Sequence, residues 1–219
     1  MLNQIDIQDI VTIAKEAGNA IMQVYKQDFE VEYKQDNSPL TLADKKANDI
    51  IEDGLNQLLV NFPILSEEGK EIPYEDREHW EYFWLVDPLD GTKDYLAENG
   101  EFTVNIALII DGKPTLGVVY APALNELYAG IVGLEAWQLK HEQKTTLNKI
   151  KKSKDTCMAV SRFHNLSDTN IFSKNNNISK VVSMGSALKY ARIALGEIDV
   201  YPRLVGSSEW DYCSGTSCA

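Results

Sequence analysis

The string Asp87-Pro88-Leu89-Asp90-Gly91-Thr92 directly follows the apolar run Phe83-Trp84-Leu85-Val86. Two acids three residues apart at the end of a strand, with Pro and Gly fixing the turn between them, can aim both side chains at one point. Like charges so close repel unless a cation or proton lies between them. Mg²⁺ suits such an all-oxygen site, because it accepts carboxylates, a backbone carbonyl and waters in octahedral array. Glu67 and Glu68, after the run Ile64-Leu65, and Asp44 on a helix can add further oxygen ligands or a base. Taken alone, the string also fits an ordinary acidic turn.

Two neighbouring motifs are excluded by register. A calcium loop needs acids at alternate positions, Gly sixth and Glu twelfth; counting from Asp87, Leu89 is third, Gly91 fifth and Glu98 twelfth. Phosphatases with an aspartyl nucleophile use a strand followed by Asp-x-Asp, whereas the spacing here is Asp-x-x-Asp. That favours metal ligation over a covalent phospho-enzyme.

The elements that must hold these residues follow from periodicity. Ile7, Ile10, Val11, Ala14, Ala17, Gly18, Ile21, Val24 and Tyr25 recur at three-and-four spacing, which predicts an amphipathic helix. After the polar stretch Lys34 to Pro39, Thr41 is a candidate N-cap for a second helix with Ala47, Ile50, Ile51, Leu55, Leu58 and Leu59 inward, ending near Asn61-Phe62-Pro63. β-like runs follow at Ile64-Leu65, Tyr82 to Val86, Thr103 to Ile110, Thr115 to Tyr120, Leu127 to Val132 and Ala136 to Leu139. The turn Asp111-Gly112-Lys113 makes two of them a hairpin. The middle third is thus expected to be an antiparallel meander packed on the opening helices.

The polar stretch Lys144 to Asp155 is the boundary candidate, dividing residues 1–150 from 151–219. Beyond it, strands are expected at Met158 to Ser161, Lys180 to Ser183 and Ile198 to Tyr201, with helices at Ser167 to Lys174 and Ser186 to Leu195. The fold class is α/β or α+β.

The 219 residues carry 21 Lys plus Arg and 33 Asp plus Glu, a formal net charge of −12. At that charge, nucleic acid and anionic membranes are poor partners for the chain as a whole. Three cysteines, Cys157, Cys213 and Cys218, are too few and too uneven for a disulfide framework, so a reducing cytoplasm is expected. The apolar runs fall short of a membrane span. His79, His141 and His164 are scattered without ligand spacing, and Trp80, Trp84 and Trp137 are expected in or near the core.

Three segments together carry a resemblance: Leu65-Ser66-Glu67-Glu68, Trp84 through Lys93, and Ser208-Glu209-Trp210-Asp211. They are similar to the signature segments of the inositol-monophosphatase-like, lithium-sensitive, Mg²⁺-dependent phosphatases. Asn99 to Ala107, Gly117 to Pro122 and Ser183 to Lys189 resemble the branch that dephosphorylates 3′(2′),5′-bisphosphate nucleotides. The resemblance implies a layered α-β-α-β-α sandwich shared with fructose-1,6-bisphosphatases. It also implies removal of the 3′-phosphate of adenosine 3′,5′-bisphosphate by two-metal activation of water. Glu67, Asp87 and the Leu89 carbonyl would hold one Mg²⁺, and Asp87, Asp90 and Asp211 a second. Glu67 and the Thr92 hydroxyl would orient the water, with Asp44 bonded to Thr92. The Gly91 and Thr92 N–H groups would receive phosphate, and Gly185, Ser186 and Lys189 would face the nucleotide. Peripheral contact with the inner face of the cell membrane is a further expectation of the resemblance. Rival readings are an inositol or sugar phosphate monoesterase, or an inactive remnant that binds metal or nucleotide.

After Asp211 the chain departs from the resembled pattern, Thr-Ala-Ala-Gly-His, and reads Tyr212-Cys213-Ser214-Gly215-Thr216-Ser217-Cys218-Ala219. Back-translated codons read one nucleotide later admit Thr-Ala-Ala-Gly-His-His. A one-base insertion that truncates the chain is therefore expected, leaving the fold incomplete at its C-terminus and Asp211 on an unsupported tail. Sequencing the gene tests this: no alternative frame continuing the helix removes the idea.

Overall fold

The structure, a computed structural model, describes residues 5–25, 31–33, 39–147, 155–163, 167–204 and 206–218. Helix α1 (Ile7–Val24) begins at Asp6, whose carboxylate accepts the Gln8 N–H at 2.9 Å, and buries Ile7, Ile10, Ala14, Ala17 and Ile21 along one side. Short strands β1 (Val31–Tyr33) and β2 (Pro39–Thr41) pair antiparallel and lead into α2 (Leu42–Asn56). Helix α2 stops earlier than its apolar periodicity suggests. Gln57 and Leu58 donate to the Gly54 and Leu55 carbonyls, a tightened last turn, so Leu58 is partly buried while Leu59 is 94% exposed rather than inward.

Strand β3 (Ile64–Ser66), the single turn α3 (Tyr74–Arg77), β4 (Tyr82–Asp90) and the short helix α4 (Thr92–Leu96) come next. The meander continues through β5 (Thr103–Ile110), β6 (Lys113–Ala121), β7 (Glu126–Ile131), β8 (Glu135–Lys140) and β9 (Gln143–Thr146). Asp111 and Gly112 both have positive φ, 49° and 70°, as the tight hairpin between β5 and β6 requires. The strands β3 to β9 form one seven-stranded sheet in chain order, parallel between β3 and β4 and antiparallel elsewhere. Strand β9 occupies the start of the polar stretch taken as a boundary. Residues 34–38, residues 148–154 and His164 lie outside the described residues.

Beyond these come β10 (Cys157–Ser161), α5 (Ser167–Asn175), β11 (Lys180–Met184), α6 (Leu188–Ala194) and α7 (Cys213–Thr216). β10 and β11 pair in parallel as a separate two-stranded sheet. The strand expected at Ile198 to Tyr201 is reduced to one bridge, Met158 with Val200, because Pro202 brings no N–H to extend it. Helix α6 starts two residues later than expected, since Ser186 has a left-handed φ of 46°.

Strand alternation sends side chains to both faces of the large sheet, and both are covered. Trp84, Val86, Ile106, Leu108 and Val118 meet α1 and α2 on one face. On the other, Val119, Ala121 and Tyr128 meet Ala187, Leu188 and Ala191, while Leu65, Leu85, Ala107 and Ile109 meet Cys213. Ile193 on α6 packs with Cys157 and Ala159 of β10, so α6 lies between the two sheets. The result is a mixed α/β sandwich. No described helix is long and apolar enough to cross a membrane.

The segment after Asp211 is not unsupported. It folds as α7 with Ser214 fully buried, because small residues of the helix sit directly on glycines of the sheet: Gly130 lies under the Ser217 carbonyl, where a Cβ would approach to 2.5 Å.

Candidate active site

The parallel register pairs Ser66 with Val86, so Glu67 and Asp87, one residue further on, leave adjacent strands side by side. The Glu67 N–H donates to the Val86 carbonyl at 3.1 Å and fixes that juxtaposition. The acids Asp87 and Asp90 do not lie in a turn after the strand, as their Pro and Gly neighbours suggest, but within the continuing β4. Asp87 pairs with Asn105 and Asp90 with Thr103, three steps along β4 against two along β5. The extra residue forms a bulge that re-aims both carboxylates. Gly91 follows at φ 89°, a left-handed conformation that suits glycine, and turns the chain into α4.

A cavity of about 570 Å³ opens here. Its lining includes Glu67, Asp87, Leu89, Asp90 and Asp211, then Gly91, Thr92 and Lys93, and Gly185, Ser186 and Lys189. Asp44 is the exception among the expected site residues. It is buried on α2 and does not line the cavity, although its charge reaches Asp87.

The electrostatics of the acidic side are strained. Asp87 is 1% exposed, and burial first, then the charges of Glu67, Asp90, Asp44 and Asp211, push its carboxyl well above the ordinary range. Burial likewise lifts Asp90 to about 7, with Asp211 and Glu67 adding to it against the pull of Lys189 and an Ala187 backbone hydrogen bond. Asp211 is raised by burial, partly offset by the Ser208 N–H that it accepts at 3.1 Å in a reciprocal capping box. Among the described residues no three His, Cys, Asp or Glu side chains already form a metal cage. The donor set nevertheless fits a hard cation: oxygen atoms only, several formal negative charges, and a buried carboxylate held uncomfortably beside its neighbours.

Lys189 is 5% exposed, and its ammonium donates to the Ser186 carbonyl and, at 3.4 Å, to the Met184 carbonyl. Burial lowers its pKa, with Asp90 and Asp94 pulling the other way. Among the further cavity residues that escaped the sequence are Arg162, Phe163, Tyr201 and Arg203. Arg203 donates to the Tyr201 hydroxyl at 3.2 Å and to the Gly206 carbonyl at 3.1 Å. A lone Arg after a Pro gives no pattern that marks it in advance. His79 pairs with Glu78 at 3.4 Å on the surface, and neither it nor His141 lines the cavity.

The profile of the inositol monophosphatase family matches residues 2–217. The chain is 40% identical to the 3′(2′),5′-bisphosphate nucleotidase CysQ of Salmonella typhimurium over 97% of its length and 86% of the relative. Among solved structures it is similar to CysQ from Bacteroides thetaiotaomicron, with a TM-score of 0.85 and 34% identity, covering 98% of this chain and 85% of that one. It is also similar to the extragenic suppressor protein suhB from Bartonella henselae, with a TM-score of 0.78 and 27% identity over 96% and 82% of the two chains. By profile, relatives and cavity alike, this chain belongs to the inositol monophosphatase family.

Proposed function

We propose that the protein is a metal-dependent phosphatase that removes the 3′-phosphate of adenosine 3′,5′-bisphosphate, giving AMP and phosphate. The observation that carries this reading is the mixed charge of one cavity, lined by the carboxylates Glu67, Asp87, Asp90 and Asp211 and by the cations Lys189 and Arg203, with Arg203 4.0 Å from Asp211. A substrate with two phosphates matches that lining, one phosphate meeting a cation held by the acids and the other meeting the basic groups. The curated relatives bearing the nucleotidase name support it.

Glu67, Asp87, the Leu89 carbonyl, Asp90 and Asp211 would hold the metal, which we take to be two Mg²⁺. Bound there, such ions polarise phosphoryl oxygens, lower the pKa of coordinated water and stabilise the leaving alkoxide. The chain's own part is orientation. Glu67 and the Thr92 hydroxyl would position the attacking water, the Gly91 and Thr92 N–H groups would receive the phosphate, and Gly185, Ser186 and Lys189 would face the nucleotide. Asp44 would orient Thr92 from behind the cavity, and its charge also reaches Asp87. Residues 1–150 would thus carry the metal-holding groups other than Asp211, and 151–219 would supply Asp211 and the groups that face the nucleotide. Free, buried Cys157, Cys213 and Cys218 agree with a reducing, cytoplasmic setting.

The test is phosphate release with Mg²⁺ from adenosine 3′,5′-bisphosphate and from inositol 1-phosphate. A clear preference for the nucleotide is expected. Equal or reversed preference would move the reading to an inositol or sugar phosphate monoesterase. Nucleotide binding without Mg²⁺-dependent release would leave only a binding remnant.

A further inference from the structure

A second group of charged side chains links separate segments that line the cavity. Arg162 places Nη2 2.5 Å from Glu101 Oε2 and Nε 3.4 Å from Asp94 Oδ1. The same Glu101 oxygen accepts the Gly185 backbone N–H at 2.7 Å. Asn99 holds both acids in place, its Nδ2 donating to Asp94 Oδ1 at 2.7 Å and its Oδ1 accepting the Glu101 N–H at 2.9 Å. Gly185 rests on Asp94 so closely that a Cβ would lie 2.5 Å from the carboxyl carbon, and a Cβ on Gly91 would lie 3.2 Å from that of Ser186.

Asp94 and Glu101 follow β4 on the metal-bearing part of the chain, whereas Arg162 and Gly185 directly follow β10 and β11 of the small sheet. Among the described residues the two sheets share no backbone ladder, so side-chain contacts set their spacing. We infer that Arg162 and Glu101 are positioning residues. Their clamp on Asp94 fixes the Gly185–Ser186 turn against the Gly91–Thr92 turn, and with it the distance between the cleaved phosphate and the rest of the nucleotide. A substrate that must reach both turns at once is held less tightly when their spacing is no longer fixed. This inference rests on the phosphatase reading above.

The competing role for Arg162 is direct attraction of the anionic substrate, and Glu101 separates the two. If Arg162 served the substrate, removing Glu101 would free the guanidinium and the Gly185 N–H, and KM would fall. If the clamp positions the turn, removing Glu101 loosens it and KM rises.

The experiment measures kcat, KM and melting temperature with Mg²⁺ and adenosine 3′,5′-bisphosphate for the wild type, Glu101→Gln, Glu101→Ala, Arg162→Met and the Glu101→Ala/Arg162→Met double variant. Each truncation should raise KM about tenfold with a smaller change in kcat. The double variant should lose no more than either single one, since both break one clamp. Glu101→Gln, whose amide oxygen still accepts the Gly185 N–H, should fall between. A lower KM in Glu101→Ala, additive losses, or a fall in kcat that tracks melting temperature at constant KM each overturn the clamp. Calorimetric binding of the same nucleotide gives the same ranking as Kd even where the wild type turns nothing over, so failure of the phosphatase reading is seen separately. A wild type that neither hydrolyses nor binds the nucleotide overturns both.

Discussion

Gly117 lies beneath the Ser214 carbonyl with no space for a methyl group, and its cross-strand partner Gly130 lies in the same way beneath Ser217. Two paired glycines thus form a trough on the sheet into which α7 settles, the close backbone approach that glycine in a strand permits. Asp211 lies two residues before this helix, so the trough also locates a metal-ligand candidate. Gly117→Ala should lose about 1–3 kcal/mol of stability by overpacking, and the rise in melting temperature on adding Mg²⁺ should shrink. Thermal melts with and without Mg²⁺ read both; a variant that melts like the wild type in each would remove the docked helix.

Asp87 is nearly without solvent, and burial with four neighbouring carboxylates disfavours its charge. Site and stability therefore pull in opposite directions at this residue. Asp87→Asn should reduce Mg²⁺-dependent phosphate release by more than about a hundredfold, beyond the usual effect of losing a supporting group around a metal. In chelator its melting temperature should equal or exceed that of the wild type, because the amide has no charge to bury. A less stable variant in chelator would mean that Asp87 makes a structural contact of greater weight than its charge.

Periodicity made the large elements legible. Ile10, Ala14, Ala17 and Ile21 mark α1, and Asp111-Gly112 marks the hairpin, because each signal is local. The acids Asp87 and Asp90 were legible by spacing, yet the bulge that aims them exists only against β5. Leu59 misled because an apolar residue in helical register is inward only while the helix lasts, and the chain tightens after Gly54. Arg162 and Arg203 gave no local sign, since their roles arise from partners 61 residues away in one case and 42 in the other. The docked α7 was hidden for a related reason: Ser214 and Gly215 are unremarkable until the glycines that receive them are known.

Glu126 is buried and ion-paired with Lys140 at 2.7 Å and Arg192 at 2.6 Å, and it accepts the Tyr128 hydroxyl at 2.7 Å. Burial alone would raise its carboxyl, but the Lys140 and Tyr128 hydrogen bonds and the charges of Arg192 and Lys140 outweigh it, and its pKa is lowered from 4.5. A folded-state pKa below the unfolded one adds stability that is complete above the unfolded value and is lost as pH falls through the folded one. Glu126→Gln should destabilise by about 3 kcal/mol at neutral pH, as breaking a buried pair does. The gap between variant and wild type should narrow as pH drops below 4.5. Denaturant titrations across that range provide the check, and a gap independent of pH would assign the effect to packing.

Lys189 is the test of whether the cavity is built for two phosphates. Its ammonium already donates to the Ser186 and Met184 carbonyls and lies 5.2 Å from the Tyr201 ring centre, so it is held in place before any ligand arrives. It also pulls against the upward shift of Asp90. Lys189→Met keeps much of the stem's volume but removes the charge. If that charge serves a second phosphate, catalytic efficiency with adenosine 3′,5′-bisphosphate should fall more than about tenfold, within the range of losing a hydrogen bond to a charged group. The fall with 3′-AMP, which lacks the second phosphate, should be smaller. Equal losses on the two substrates would instead assign Lys189 to Asp90 and the turn at Ser186, because a defect in the metal side is shared by every phosphate ester. Kinetics on the matched pair of nucleotides therefore distinguish recognition of the second phosphate from support of the first.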